Sequence, residues 1–113
     1  MARTPQNYAH NTQLATSAVD VVPTVASNTS AVVRKLSFYN SSTTTNRTVT
    51  VYVVESGGTA DTGTTLAVKA IPPLKTWNVI EIQAEIIETG MKVQADQDVG
   101  TDVNVNCSGA DIT

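Results

Sequence analysis

The sequence predicts an all-β protein: an antiparallel β-sandwich of about seven or eight short strands, jelly-roll or immunoglobulin-like, with an extended N-terminal arm. Three observations predict it. Val and Thr are the commonest residues, and two branches at Cβ restrict χ1 in a helix while packing well on a pleated surface. Apolar and polar residues alternate in short runs, the period at which strand side chains share one face of a sheet. Clusters of Asn, Ser, Thr, Gly and Pro break these runs at roughly the spacing of sandwich strands. With 113 residues and 41% apolar content, the chain has the length and the apolar material of one domain.

The first segment, residues 1–13, carries Pro5, Asn7, His10 and Asn11 with no apolar period, and reads as an arm lacking a buried face of its own. The sandwich is expected to span residues 14–113. Asp20 to Val25 is a short strand whose Pro23 removes a ladder donor, so it should lie at an edge or contain a bulge. Ala31 to Tyr39 follows, with Val32, Leu36 and Phe38 alternating against Val33, Lys35 and Ser37; Arg34 falls on the apolar face, against the pattern.

Asn40 to Asn46 is a polar hairpin connection longer than the tight two-residue turns. Arg47 to Glu55 is the clearest strand, with Val49, Val51 and Val53 facing one way. Gly57, Gly58 and Gly63 make Ser56 to Thr64 a loop. Thr65 to Ile71 is a strand ended by Pro72-Pro73, which cannot donate two successive backbone bonds. Trp77 to Ile87 is the longest apolar stretch and is expected to be extended, although residues 84–89 also fit a short helical turn. A turn at Glu88-Thr89-Gly90 leads into Met91 to Ala95, a polar hairpin tip over Asp96 to Gly100, and a final strand through Val103 and Val105.

Composition narrows the function. Seven Lys and Arg against ten Asp and Glu give a net charge of -3. The cations are scattered singly except for Arg34-Lys35, whereas nucleic-acid binding needs clustered cations to displace phosphate counterions, so nucleic acid is not an expected partner. No apolar run approaches the ~20 residues of a membrane span, and residues 2–13 are polar rather than secretory, so a soluble, cytoplasmically made protein without a membrane partner is expected. The lone Cys107 falls in a strand and reads as a buried thiol. Four Asn-X-Ser/Thr triplets begin at Asn28, Asn40, Asn46 and Asn106; a chain this rich in Asn, Ser and Thr makes such triplets by chance, and glycosylation is not expected.

No catalytic set is apparent. Nucleophilic catalysis by Ser or Cys needs a base held by a third group, and the single histidine, His10, lies in the coreless arm. Asp96, Asp98 and Asp102 with Gly100 lack the spacing of a calcium loop, so no metal is expected. The Gly57-Gly58 loop has no following helix to hold phosphate, and no cofactor is expected. Glu81 and Glu85 read as solvating charge. The expectation is a protein that is not an enzyme.

The expected interface comprises Arg3, Pro5, Tyr8 and His10 of the arm together with Trp77. Tyr8 is the most telling, because an aromatic ring in a coreless arm has no intramolecular reason to be there; it either docks into a neighbouring subunit or stands idle in solvent. Trp77 is open to two readings, an interface anchor or a core plug at the start of its strand.

One resemblance extends this reading. A Val/Thr run ending Lys35-Leu36-Ser37-Phe38-Tyr39-Asn40-Ser41-Ser42 is followed by Val49-Thr50-Val51-Tyr52-Val53-Val54 and Ser56-Gly57-Gly58, then by Ile71-Pro72 and Gly90-Met91-Lys92-Val93-Gln94-Ala95-Asp96. This pattern resembles the small β-sandwich structural proteins of tailed bacteriophage virions, which include head decoration or cement proteins and some tail and fibre modules. The likeness covers roughly residues 14–112 and rests on strand order and turn composition. It implies a virion protein that binds and stabilises the assembled capsid lattice, contacting the major capsid protein or neighbouring virion subunits as a homo-oligomer such as a trimer. The alternative is a tail, baseplate or fibre component that binds a receptor or carbohydrate. The aromatic residues, however, are scattered over different elements and form no stacking platform. On this reading the arm orders on docking to a neighbour's sheet edge, and its removal should leave a folded domain.

Overall fold

The structure is a computed structural model that describes residues 2–83 and 85–113. Among the described residues nine strands follow one another: β1 (Arg3–Gln13), β2 (Val19–Val22), β3 (Ser30–Asn40), β4 (Arg47–Val54), β5 (Thr65–Ile71), β6 (Thr76–Asn78), β7 (Ile86–Ile87), β8 (Lys92–Gln97) and β9 (Val103–Ile112). Single 3-10 turns cover Thr62–Thr64 and Ile80–Ile82. The strands form two sheets. One has the order β1-β9-β3-β6, with β7 also on β3, and the other the order β2-β8-β4-β5.

Every pairing is antiparallel, and the order has a simple origin. The first four strands pair in reverse sequence with the later ones: β1 with β9, β2 with β8, β3 with β6 and β7, and β4 with β5. That is one long hairpin. Rolling it up adds the β9–β3 and β8–β4 contacts and divides the strands between two facing sheets, which is the jelly roll with β6 and β7 together filling one strand position.

The inward faces meet in one core. Leu36, Phe38, Val105 and Cys107 of the first sheet pack with Val21, Val49, Val51, Val93 and Ala95 of the second. Because side chains alternate across a strand, any break in alternation must be a bulge, and β3 shows one. Ala31 and Val33 are buried, then Leu36, Phe38 and Asn40, and the register against β9 slips between Val33 and Lys35. The extra residue returns the apolar set to the core and leaves Arg34 and Lys35 exposed. This explains why Arg34 broke the pattern in the sequence. A second slip, between Val51 and Tyr52, places its extra residue, Leu66, in β5, while β4 stays in continuous register with β8 through Val54.

Two expectations are corrected. Residues 3–13 are not an arm outside the sandwich: β1 pairs with β9 from Arg3–Ile112 to Gln13–Asn104. A polar sequence suffices because the strand is held by main-chain bonds, with slips around Ala9 that turn Ala9 itself into the core. The boundary between an arm and a domain beginning at residue 14 therefore does not exist in this fold. The second correction concerns Trp77 to Ile87, which is not one strand. Trp77, Val79, Ile82 and Ile87 are all buried, and this spacing has no period of two, so the backbone reaches it through β6, a 3-10 turn and β7. The helical turn considered over residues 84–89 begins at residue 84, outside the described residues; residues 86 and 87 are strand.

Other expectations hold. β2 is an edge strand ending just before Pro23, β5 spans Thr65–Ile71 before the Pro pair, and Cys107 is buried. The strand expected over Met91 to Ala95 runs on to Gln97, whose side chain is buried and donates through Nε2 to the Leu14 carbonyl at 2.6 Å.

Candidate interaction surface

The five residues expected to form an interface do not come together. β1 and β6 are opposite edges of one sheet, which separates Arg3, Pro5, Tyr8 and His10 from Trp77. Arg3, Pro5 and His10 are exposed on β1. Trp77 is only 7% exposed and stacks on Phe38 with ring centroids 5.7 Å apart, so it is a core residue and not an anchor. Tyr8 has the intramolecular partner that the sequence did not reveal: its hydroxyl donates to Asp111 Oδ1 at 2.7 Å. Desolvation first, and then the carboxylate that it bonds, push the phenol well above its ordinary range.

The carboxylates near the β8–β9 hairpin are individually engaged. Asp102 receives Arg47 through Nε at 2.7 Å and Nη2 at 2.6 Å. Asp96 accepts from the Tyr52 hydroxyl at 2.9 Å. Burial, followed by that bond, raises the Tyr52 pKa. Asp98 accepts from the Val99 amide within the turn. Among the described residues no group of three His, Cys, Asp or Glu stands close enough to hold a metal.

Among the described residues two polar side chains, Asn40 and Gln97, are buried. Asn40 fixes three segments: its Nδ2 donates to the carbonyls of Thr45 and Ile71, both at 2.9 Å, and its Oδ1 accepts from the Ser42 amide at 3.0 Å. The Asn40 triplet is therefore closed to modification. Cys107 is 1% exposed, and burial pushes its thiol up to about 12, which removes the thiolate that nucleophilic chemistry would need.

What the fold leaves on the surface is of another kind. Ile80 is 69% exposed, Ile86 57% and Leu74 52%, and these lie on β7 or in the connections flanking β6, at one edge of the first sheet. Glu81, Glu85 and Glu88 are exposed in the same stretch. On the first sheet a pocket of about 310 Å³ is lined by Arg3, Arg34, Val32, Val33, Ala110 and Gln83. A second cleft, of about 250 Å³, opens between the edges of the two sheets and includes Gln6, Tyr8, Val22, Pro23 and Asp111.

Sequence reasoning found Arg3 but missed Arg34, Ile80 and Ile86. The misplaced Arg34 was the available signal, since a charge breaking a strand's apolar face marks a bulge. The isoleucines gave no signal, because apolar residues of a broken strand look the same whether they face in or out.

No protein-family model matches this chain, and no curated protein matches it. Two solved chains from infectious bursal disease virus are similar to it. A chain of the icosahedral virus particle gives a TM-score of 0.48 with 14% identity over 97% of this chain and 30% of that one. A chain of the Gx strain gives 0.42 with 14% identity over 97% of this chain and 31% of that one. This chain thus spans less than a third of the length of either.

Proposed function

We propose that the protein is a virion structural protein that binds and stabilises an assembled shell through protein–protein contacts, without chemistry of its own. The observation that carries this reading is the group of large apolar side chains left in solvent at one edge of a well-packed sandwich, Ile80, Ile86 and Leu74. These side chains are strung along that edge from Leu74 beside Asn40 to Ile86 opposite Val32, with Glu81 and Glu85 between them, as a long protein-contact strip would be. The jelly roll is a fold on which viral shell proteins, among others, are built. A non-enzymatic role is supported by the buried, protonated thiol of Cys107 and by carboxylates already committed to Arg47 and Tyr52.

Within this class the head-decoration role is the finer reading, with the major capsid protein or neighbouring virion subunits as partners. It is tested by mixing the purified protein with assembled shells and, separately, with unassembled shell subunits, and sedimenting both. The expected result is co-sedimentation with shells alone. Binding to host-cell surface glycans with no binding to shells would overturn it in favour of a tail or fibre role.

A further inference from the structure

The outward faces of the two sheets are built differently. In the first sheet Leu36, Phe38, Trp77, Val105 and Cys107 are buried, so their neighbours along each strand point to solvent. One outward row crosses β6, β3, β9 and β1 through Thr76, Tyr39, Asn104 and Gln13. The next crosses them through Asn78, Ser37 and Asn106 to Asn11, whose main-chain amide and side chain both bond the Asn106 side chain. None of these eight side chains is charged, and five are carboxamides. The outward face of the second sheet instead carries Asp20, Lys92 and Asp96, the ordinary means of keeping a sheet face soluble.

Asn is disfavoured in strands, because its short amide competes for nearby main-chain bonds. Four Asn residues on three strands of one face therefore run against local preference, where Thr would solvate the face as well and suit the strand better. Such conflicts gather where side chains are kept for what they bind.

We propose that this face binds a neutral polysaccharide. A carboxamide both donates and accepts hydrogen bonds, as a sugar hydroxyl does, and an uncharged face meets an uncharged ligand without burying an ion. The bonds between Asn11 and Asn106 hold two of the amides in place. Tyr39, 38% exposed, adds one ring for the apolar side of a sugar. Strands about 4.8 Å apart spread each row over about 14 Å, longer than one sugar ring. The face is open rather than concave, which suits an extended polymer and not a monosaccharide. The proposal goes beyond the shell reading and does not depend on it.

Native gels cast with dextran, mannan or galactomannan test it by the retardation of the protein. Ser37→Val/Asn104→Val removes one polar group from each row on the two central strands, and Val favours a strand. Gln13→Ala/Asn78→Ala, at exposed positions of the outer strands, is a second variant, and circular dichroism checks the fold of each. Thr48→Val/Thr50→Val makes the same kind of change on the outward face of the second sheet. Wild type should be retarded by at least one of the three polymers, and Thr48→Val/Thr50→Val equally. The two variants of the amide face should bind at least about tenfold more weakly, from the loss of two hydrogen bonds. No retardation of wild type by any of the three, retardation of the folded amide-face variants equal to wild type, or loss in Thr48→Val/Thr50→Val as well would each overturn the proposal. Shell binding without polysaccharide binding would overturn this proposal and leave the shell reading standing; polysaccharide binding without shell binding would do the reverse.

Discussion

The two edges of the first sheet present opposite cases. β1 is polar, carries a proline, and pairs along eleven residues. The segment from Trp77 to Ile87 is the most apolar in the chain and contributes only β6 and β7, three and two residues long. Main-chain pairing therefore does not follow apolar content. β1 keeps its ladder with β9 through two slips, because Ala9 is the one side chain of β1 that is buried. The β6–β7 segment must put Trp77, Val79, Ile82 and Ile87 inward at irregular intervals, so it gives up ladder bonds for burial. The trade is reasonable in energy. Burying a large apolar side chain is worth about 1.5–3 kcal/mol, and a net hydrogen bond about 1 kcal/mol.

β1 is where the fold is most vulnerable. Deleting residues 1–13 should abolish cooperative thermal unfolding, because it strips the ladder from β9 and uncovers Cys107 and Val105; a truncated protein that still melts cooperatively would restore the separable arm. Next in size is Gly109→Ala in β9. A Cβ there would lie 1.9 Å from the Val32 carbonyl oxygen, so the β3–β9 pairing must open, at a cost of about 3 kcal/mol or more in denaturant unfolding.

Asn40→Ala should cost about 2–4 kcal/mol by the same measurement, since it leaves the Thr45 and Ile71 carbonyls short of a donor. Tyr8→Phe should cost only about 1 kcal/mol, the value of one hydrogen bond to Asp111. A null effect would mean that the β1 edge is held by its backbone alone.

Alkali offers a separate probe of the core beneath β1. The folded pKa of Cys107 lies above its unfolded value, so its contribution is present below the unfolded pKa, about 9. As pH rises from there toward 12, the unfolded chain loses its thiol proton first and stability falls. Below pH 9 the thiol should also resist a thiol reagent until the protein unfolds. Rapid modification of the native protein would show that β1 opens easily.

The legible part of the fold was whatever alternates. Val49 and Val51 of β4, the Pro pair after β5 and the valines of β9 announce strands and their ends through side-chain period and missing donors. What the sequence concealed depends on tertiary partners. Nothing local to residues 3–13 shows that β9 will return beside them over a separation of about a hundred residues, so the segment read as an arm. The bulge at Arg34 was visible only as an exception. Of the expected interface, Arg3 lines a pocket, while Trp77 was a core residue whose packing on Phe38 needed the β3–β6 register to be seen.

The proposed contact between this sandwich and an assembled shell is tested by electron cryo-microscopy of virus particles that carry the chain. Density for a two-sheet sandwich at symmetry-related positions on the outside of the shell, with the β6–β7 edge in contact with a neighbour, is the predicted result. Density confined to a tail or fibre, or particles that lack the chain altogether, would contradict it.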